Sequence, residues 1–288
     1  MLIGHHVHTS KGFTTAASYG KSNNADIIQI FLSSPQSFRI SNIKMLDLIK
    51  LRNSAKNNNV KLVVHGSFLL NMCRDPNNDG LKKAKKVLIS DMNNSVILLA
   101  IGVIIHMGKI TKDMNISEDE ALKNYIINVK DILKRTDKRS ILILETGAGQ
   151  GHEIGTKLNI LAKIRDNLNC NEIRRIKFCL DTCHMFSAGY NLGDKNMISI
   201  LDQYIEIMLG WENIVVIHLN DSKNKLNARV DRHQDIGKGY INISGLKEFV
   251  RRCVKHNVPL ILETPGEEHD GIILKHREQI ELVRKFIK

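Results

Sequence analysis

The residues best suited to chemistry lie in one stretch, residues 218–237, which reads HLNDSKNKLNARVDRHQDIG. It follows an apolar run and offers His218, Asp221, Asp231 and His233 within a short distance along the chain. Such groups cost free energy when they are buried together, unless they are paired or hold a metal ion. Imidazole nitrogens together with carboxylate oxygens are the ligand mixture that suits zinc. The stretch therefore predicts a metal site.

The same stretch also has a spacing and a charge that point to phosphate chemistry. Asp231 and His233 are two residues apart, so an extended backbone directs both side chains to one side. Lys223 and Arg232 are among several cationic residues that make the stretch basic. A metal pocket beside cationic side chains is what cleavage of a phosphate ester requires. We therefore treat Lys223 and Arg232 as candidate contacts to a phosphate backbone.

The elements that must position these residues alternate regularly along the chain. Short apolar, β-branched runs predict strands at residues 2–8, 26–32, 60–66, 102–108, 140–147, 176–182, 213–220 and 259–265. Segments with helical spacing predict helices near residues 41–58, 81–100, 117–135, 156–168, 194–209, 244–257 and 272–287. Nearly continuous apolar strands are typical of a parallel sheet covered by helices.

Eight strand–helix units over this length predict an α/β fold, a single closed (β/α)8 TIM barrel. An open doubly wound sheet is the alternative, but no glycine-rich nucleotide loop follows the first strand. Neither a linker nor an internal repeat is visible, so we predict one domain over residues 1–288.

The predicted strands end in polar side chains that can bind metal ions. In a barrel the carboxyl ends of the strands meet on one face, where active sites are formed. The convergent candidates are five histidines and four carboxylates: His65, His106, Glu145, Asp181, His184, His218, Asp231, His233 and Glu263. One zinc ion needs three or four protein ligands, so this number indicates two or three ions on the C-terminal face.

The remaining cysteines and histidines have simpler explanations. The five cysteines are an odd number and widely scattered, which indicates a reducing compartment rather than a disulfide framework. Cys179 and Cys183 offer a competing thiolate site, but their spacing is loose, and we expect Cys179 in the core. His256 and His276 fall within predicted helices, where we expect them to be solvated.

The composition favours a polyanionic partner. The formal net charge is +12, from 42 Lys and Arg against 30 Asp and Glu. Such a balance favours nucleic acid first and an anionic membrane surface second, with biased codon usage as the alternative explanation. The chain shows neither a signal-peptide core nor an apolar run long enough to span a membrane. We expect a soluble, intracellular monomer without membrane association or an obligate protein partner, in cytoplasm, nucleus or, for a viral source, the virion.

Six segments carry a resemblance that covers the chain from the first strand to the last. They are HGSFLLN (65–71), LETGAGQG (144–151), CLDTCHMFSAGY (179–190), HLNDSK (218–223), VDRH (230–233) and LETP (262–265). In these segments the sequence resembles the endonuclease IV family of apurinic/apyrimidinic endonucleases. The resemblance implies base excision repair on double-stranded DNA. The reaction would hydrolyse the phosphodiester 5′ to an abasic site, leaving a 3′-hydroxyl and a 5′-deoxyribose phosphate, and the enzyme would also remove blocked 3′ ends.

The resemblance also implies a site of three zinc ions shared among the nine convergent candidates. The first ion would be held by His65, His106 and Glu145. Glu145 would bridge to the second ion, whose other ligands would be Asp181, His218 and Glu263. The third ion would be held by His184, Asp231 and His233. Catalysis would then depend on Glu145 and Glu263, and Glu145 could help to position the nucleophile.

The resemblance further implies that loops after the second and third strands fill the gap in a DNA base stack. The matching positions are Gln36, Phe68 and Leu69. The family often has Arg and Tyr where this chain has Gln36 and Phe68, and an apolar ring can still wedge into a base step. His6 would lie beside the metal ions without binding one.

Three alternative functions stay open at this point. A sugar isomerase on a similar barrel would also bind divalent metals through strand-end side chains, although His65, His106, the DRH element and the charge speak against it. The HHVHT opening resembles polymerase-and-histidinol-phosphatase type phosphoesterases, but this motif is short. A non-catalytic DNA-binding scaffold would need broken ligands, and the sequence retains all nine candidates.

Overall fold

Eight parallel strands close into a barrel at the centre of the molecule. They are β1 (Ile3–His6), β2 (Ile27–Phe31), β3 (Lys61–His65), β4 (Val103–Ile105), β5 (Leu142–Glu145), β6 (Ile176–Asp181), β7 (Ile214–His218) and β8 (Leu260–Leu262). Consecutive strands pair in parallel around the ring, and β8 pairs with β1 to close it. The computed structural model describes residues 1–9, 12–266, 268–269, 272–273 and 275–287. The predicted (β/α)8 barrel is confirmed, and each strand lies within its predicted run.

Helices surround the barrel and connect its strands. Those in the described residues are α1 (Ala16–Ser22), α2 (Met45–Asn57), α3 (Asp79–Leu98), α4 (Glu118–Arg135), α5 (Leu158–Asp166), α6 (Cys170–Ile173), α7 (Thr182–Ser187), α8 (Lys195–Met208), α9 (Ile243–Lys255) and α10 (His276–Ile287). Side-chain caps fix several of their starts; for example, the hydroxyl of Ser117 accepts a hydrogen bond from the N–H of Glu120 at 3.2 Å. None of these helices has the length and apolar character needed to cross a membrane.

The helix prediction for residues 272–287 is wrong at its start. Ile272–Ile273 instead pairs in antiparallel fashion with Glu268–His269, and the helix begins at His276. His256 and His276, which were expected to be solvated, are half-buried. His276 stacks on His5 with 4.3 Å between ring centroids, and His256 stacks on Trp211 at 4.5 Å.

The barrel strands build two layers of side chains inside the ring. The lower layer is a fully buried cluster formed by Ile27, Val63, Ile104, Ile143, Cys179, Val216 and Ile261. Neighbouring residues on the same strands belong to a second cluster that packs against the helices. Because side chains alternate with a period of two, the next inward positions lie one layer higher, at the carboxyl ends of the strands. Those positions are occupied by Gln29, His65, His106, Glu145, Asp181, His218 and Glu263.

A short antiparallel pair after β7 extends the carboxyl end of the barrel. Asp221–Ser222 pairs with His233–Gln234, and the segment between them carries Asp231. The carboxylate of Asp221 accepts the N–H groups of Gly237 and Ile241 at 3.0 Å, which fixes the return of the chain after the pair. Asp221 is therefore an anchor of this loop, although the sequence offered it as one of the groups suited to metal binding.

Candidate metal centre

The nine predicted ligands converge at the carboxyl end of the barrel. They form three groups, and within each group the candidate ligand atoms all lie within 4.8 Å of one another. The groups are His65, His106 and Glu145; Glu145, Asp181, His218 and Glu263; and His184, Asp231 and His233. Glu145 belongs to two of the groups. The structure thus brings together all nine convergent candidates that the sequence nominated, whereas Asp221 lies outside these groups.

Glu145 lies at the centre of the site and directs each of its oxygens to a different group. Oε1 lies 2.8 Å from Nδ1 of His218, while Oε2 lies 3.3 Å from Nε2 of His65 and 3.7 Å from Nε2 of His106. The carboxylate is buried at the end of β5. A carboxylate with its two oxygens divided in this way has the geometry of a bridge between two neighbouring cation positions.

The second group is held by strands β6, β7 and β8 and by one asparagine. Nδ1 of His218 lies 3.1 Å from Oε2 of Glu263 and 3.8 Å from Oδ2 of Asp181. The side chain of Asn220 donates to Asp181 at 2.7 Å and accepts the backbone N–H of Glu263 at 2.9 Å. Asn220 therefore sets the separation between two of the carboxylates.

The third group depends on helix α7, which the sequence patterns did not predict. Asp181 caps this helix by accepting the N–H of His184 at 2.8 Å, so β6 and α7 deliver two candidates from one turn. Nε2 of His184 lies 3.2 Å from Oδ1 of Asp231, and Nε2 of His233 lies 3.3 Å from the same oxygen. The side chain of Gln150 accepts the backbone N–H of Asp231 and holds that segment in place.

The donor set and its unused nitrogens fit divalent cations. Nε2 of His184 and Nε2 of His233 are buried. Both lie near the Asp231 carboxylate, but neither has the geometry of a hydrogen bond to any residue in the described part of the chain. In His65, Nδ1 lies 2.8 Å from the carbonyl oxygen of Gly66, which leaves Nε2 directed toward Glu145. Imidazoles fixed through one nitrogen and presenting the other beside carboxylates are the arrangement that zinc uses in proteins.

The electrostatics of the centre are those of buried charges that compensate one another. Burial raises the pKa of Glu263, but the His218 imidazole lowers it, and the net pKa is about 2. Burial lowers the pKa of His184, but the carboxylates of Asp181 and Asp231 raise it well above its ordinary value. Cations and imidazole protons can satisfy the same carboxylates, so metal binding would displace protons from the centre.

Gln29 is a functional candidate that the sequence analysis missed. Its amide N–H donates to Oε1 of Glu263 at 2.6 Å, and its carbonyl oxygen lies 2.8 Å from Nε2 of His218. The same amide nitrogen lies 3.3 Å from Nδ1 of His6, which is in none of the metal groups found among the described residues. The alternation in β2 could have identified Gln29, because it is two residues beyond the buried Ile27.

An open cavity of about 720 Å³ leads from the surface to the centre. Gln36 and Phe68 line its mouth, and His184, His233 and Glu263 line its floor.

The five predicted DNA contacts lie around this cavity and on the adjoining loop. Phe68 and Leu69 are 52% and 43% exposed, and the ring of Phe68 lies 5.5 Å from that of His65. Gln36 and Arg232 are exposed, whereas Lys223 is half-buried, and its backbone N–H donates to the carbonyl of Arg232. Gln36 and Phe68 therefore border the entrance of this cavity, Leu69 lines the neighbouring cavity together with Phe68, and the two cations lie on the loop that carries Asp231.

The sequence of this chain matches a known protein family and is similar to that of a viral protein. Residues 13–287 match the family described as "Xylose isomerase-like TIM barrel". The chain is 35% identical over 265 residues to a "Putative endonuclease 4" of Acanthamoeba polyphaga mimivirus, covering 91% of this chain and 85% of that protein.

Two solved structures show the same fold at lower identity. The crystal structure of endonuclease IV from Thermus thermophilus superimposes with a TM-score of 0.81 and 24% identity, covering 100% of this chain and 99% of that one. A D-tagatose 3-epimerase-like protein superimposes with a TM-score of 0.75 and 17% identity, covering 100% of this chain and 97% of that one. The barrel alone is thus similar both to a nuclease and to a sugar epimerase.

Proposed function

The chain belongs to the endonuclease IV family and is a phosphodiesterase of the nuclease type, and on that premise we propose that it is a zinc-dependent apurinic/apyrimidinic endonuclease of base excision repair. It would hydrolyse the DNA phosphodiester 5′ to an abasic site and leave a 3′-hydroxyl and a 5′-deoxyribose phosphate. The observation that carries the proposal is the set of three ligand groups at one end of the barrel, two of which share the carboxylate of Glu145.

We assign the residues to three cation positions as the groups divide them. His65 and His106 share the first position with Glu145, which bridges to the second position. The other ligands of the second position are Asp181, His218 and Glu263. The third position is formed by His184, Asp231 and His233. Divalent ions in such an arrangement would polarise the phosphate, activate water at neutral pH and stabilise the leaving oxygen.

The chain's own residues would bind and orient the substrate around these positions. His184, His233 and Glu263 line the floor of the open cavity, and we infer that the phosphodiester reaches them with its nucleotide turned out of the base stack. We assign Gln36, Phe68 and Leu69 to the gap that the extruded nucleotide leaves in the duplex. Glu145 and Glu263 have the catalytic roles, and Glu145 would hold the nucleophile between the first two positions.

The basic charge supports a DNA substrate over a sugar. Lys223 and Arg232 lie on the loop that carries Asp231, so a bound phosphate backbone would pass over cations beside the third group. The net charge of +12 predicts that affinity falls steeply with added salt, because phosphate contacts release counterions from DNA. We further propose that 3′ ends carrying a blocking group enter the same open cavity and are cleaned there. The enzyme would act as a single-domain monomer.

The experiment that tests the proposal is incision of a labelled duplex carrying one tetrahydrofuran abasic analogue. This analogue cannot undergo β-elimination, so any cut is hydrolytic. Metal content is measured on the same batch, and we expect one cut 5′ to the analogue and about three zinc ions per chain. Zinc-loaded protein that leaves the duplex intact would contradict the proposal. Turnover of a ketose or aldose by that protein would favour the isomerase alternative instead.

A further inference from the structure

Each imidazole of the candidate metal centre needs a partner for the ring nitrogen that faces away from the proposed ions. In four of the five histidines this partner is a neutral oxygen. The pairs are His65 with the Gly66 carbonyl, His184 with the Thr146 carbonyl, His233 with the Glu263 carbonyl, and His218 with the Gln29 side-chain carbonyl. Such partners fix the tautomer and the orientation of a metal-binding imidazole.

His106 differs from the other four because, among the described residues, its outward nitrogen faces no neutral acceptor but the carboxylate of Glu153, which is not one of the nine candidate ligands. Its Nε2 lies 3.7 Å from Oε2 of Glu145, on the side of the proposed ion, while its Nδ1 lies 3.9 Å from Oε1 of Glu153. The His106 side chain is also 21% exposed, more than that of any other imidazole in the centre. The most exposed of the five candidate imidazoles is thus the one without a neutral acceptor for its outward nitrogen.

The backbone holds Glu153 in this position by joining two loops. The N–H of Ile110 donates to the carbonyl of His152, and the N–H of Ile154 donates to the carbonyl of Gly108, both at 3.1 Å. The Glu153 carboxylate is largely buried, with its side chain 13% exposed, and its Oε2 accepts the N–H of Gly149 at 3.2 Å. The loop after β5 is therefore fastened to the loop after β4, which begins at His106.

A glycine provides the space for this carboxylate. A Cβ atom added at Gly147 would lie 2.8 Å from the carboxyl carbon of Glu153, which is closer than real Cβ contacts allow. The carboxylate consequently packs directly against the backbone that follows Glu145. Its Oε1, the oxygen that does not bond Gly149, is the one directed at His106.

We propose that Glu153 is a positioning residue for the metal centre, which keeps the N–H of His106 on Nδ1 and the lone pair of Nε2 directed at the first cation position. The 3.9 Å between Nδ1 of His106 and Oε1 of Glu153 is longer than a hydrogen bond, and a small rotation of the partly exposed His106 ring would bring the two atoms to hydrogen-bond length. A carboxylate acceptor also makes the imidazole a better electron donor to a metal than a neutral oxygen does. The inference rests on the proposed function, because it requires that His106 binds an ion.

The test is zinc retention by the Glu153→Gln variant against a graded series of chelator concentrations. Glutamine keeps the shape of the side chain and removes its charge. We expect one zinc ion per chain to be lost at a chelator concentration about 10- to 100-fold lower than in the wild type. The matched control is Glu118→Gln, which makes the same change on the exposed surface of α4 and should retain zinc like the wild type.

Two further measurements separate positioning from a purely structural role. If Glu153 acts through His106, adding Glu153→Gln to a His106→Gln variant should cause no further loss of zinc. In zinc-loaded protein with ¹⁵N-labelled histidine, the His106 signals should show the proton on Nδ1 in the wild type and a changed pattern in Glu153→Gln. If Glu153→Gln folds poorly, Gly147→Ala takes its place in the test. This variant displaces the carboxylate without removing it and should cause the same loss of zinc.

The outcomes distinguish this inference from the proposed function. Wild-type protein that binds no zinc would overturn both. Wild-type protein that holds its zinc, together with a Glu153→Gln variant that retains zinc equally well, would overturn the inference alone. Additive losses in the double variant would likewise overturn it, because Glu153 would then act independently of His106.

Discussion

The two side-chain layers inside the barrel come from the same seven strands, only two residues apart, and have opposite energetics. The lower layer, represented by Ile143 and Val216, is apolar and stabilises the fold by burial alone. The upper layer, represented by Glu145 and His218, is equally buried but polar, so it is costly unless its charges are compensated. The difference shows that one strand periodicity builds both the core and the site, and that only the end of the strand separates them.

The largest expected effect is loss of catalysis from a change in the upper layer. Glu263→Gln keeps the volume of the side chain but removes a charge that faces His218 at 3.1 Å. We expect incision to fall by about 10³-fold, equivalent to ~4 kcal/mol of transition-state stabilisation. Duplex affinity should stay within about threefold, because most phosphate contacts lie outside the centre. Gel-based incision and binding assays measure both quantities.

The exposed Glu118→Gln variant is the control for the Glu263 substitution. Near-normal incision by Glu263→Gln would remove Glu263 from the catalytic residues. A parallel loss of duplex affinity would instead show that the upper layer contributes to binding in general.

The lower layer and the ligands were predictable for the same physical reason. Continuous apolar runs identify parallel strands, and the polar residue at each carboxyl end then falls on one face of the barrel. Glu145 and His218 could thus be named from the sequence, since each follows such a run directly. Sequence patterns could identify the strand ends without determining the contacts between them.

The features that escaped prediction depend on tertiary contacts or on short elements. Helix α7 has only six residues, too few for a helical period to be visible, although it carries His184. The alternation in β2 marks Gln29 as an inward position, but its hydrogen bond to Glu263, far away in the chain, is visible only in the folded protein. His276 is half-buried against His5 by the packing of the final helix on β1, which a helix pattern alone does not show.

Removal of the metal ions should lower the stability of the folded protein, because the charges of the upper layer then lose their compensation. If the ions bind as proposed, each of them contributes RT ln(1 + [L]/Kd) to the folded state, so the loss of even one ion removes about 4 kcal/mol at a thousandfold excess over Kd. We expect chelated protein to unfold at a temperature lower by roughly 10 °C, since each kcal/mol shifts the midpoint of such a chain by about 2–4 °C. Differential scanning calorimetry with and without chelator measures the shift, and added zinc should reverse it. An unchanged midpoint would indicate that imidazole protons compensate the carboxylates as well as metal ions do.

Truncation in the lower layer should cost stability and spare the chemistry. Ile143 is fully buried on β5, two residues before Glu145. Ile143→Ala removes buried methyl groups and leaves a cavity, so we expect a loss of about 3 kcal/mol in the free energy of unfolding. Urea unfolding measures this loss, and zinc per folded chain should stay at the wild-type level. Zinc loss from the folded variant would show that the two layers are mechanically coupled.

A change at the cavity mouth should affect DNA binding more than it affects either layer. Phe68 is 52% exposed, and its ring makes edge-on contacts with the rings of His65 and His106, with centroid distances of 5.5 Å and 5.6 Å. Phe68→Ala should weaken binding to the abasic duplex by about 1–3 kcal/mol, the usual contribution of an aromatic ring against a base. The control is Ile207→Ala, an apolar truncation at an exposed position on α8. If Phe68→Ala binds the abasic duplex as tightly as the wild type does, the assignment of Phe68 to the gap in the base stack is contradicted.

The smallest effect is expected at Cys179, where the two layers meet chemically. Cys179 is the one member of the lower layer that could bind a metal, and its sulfur lies within 4.8 Å of ligand atoms of Glu145 and His218. Burial raises the pKa of its thiol to about 12, which favours the neutral, core-forming side chain over a thiolate ligand. Cys179→Val should therefore change the free energy of unfolding by less than about 1.5 kcal/mol and leave zinc content and incision unchanged. Loss of one zinc ion from this variant would mean that the Cys179 thiolate, from the lower layer, binds a metal ion. The lower layer would then contribute to the metal centre at β6.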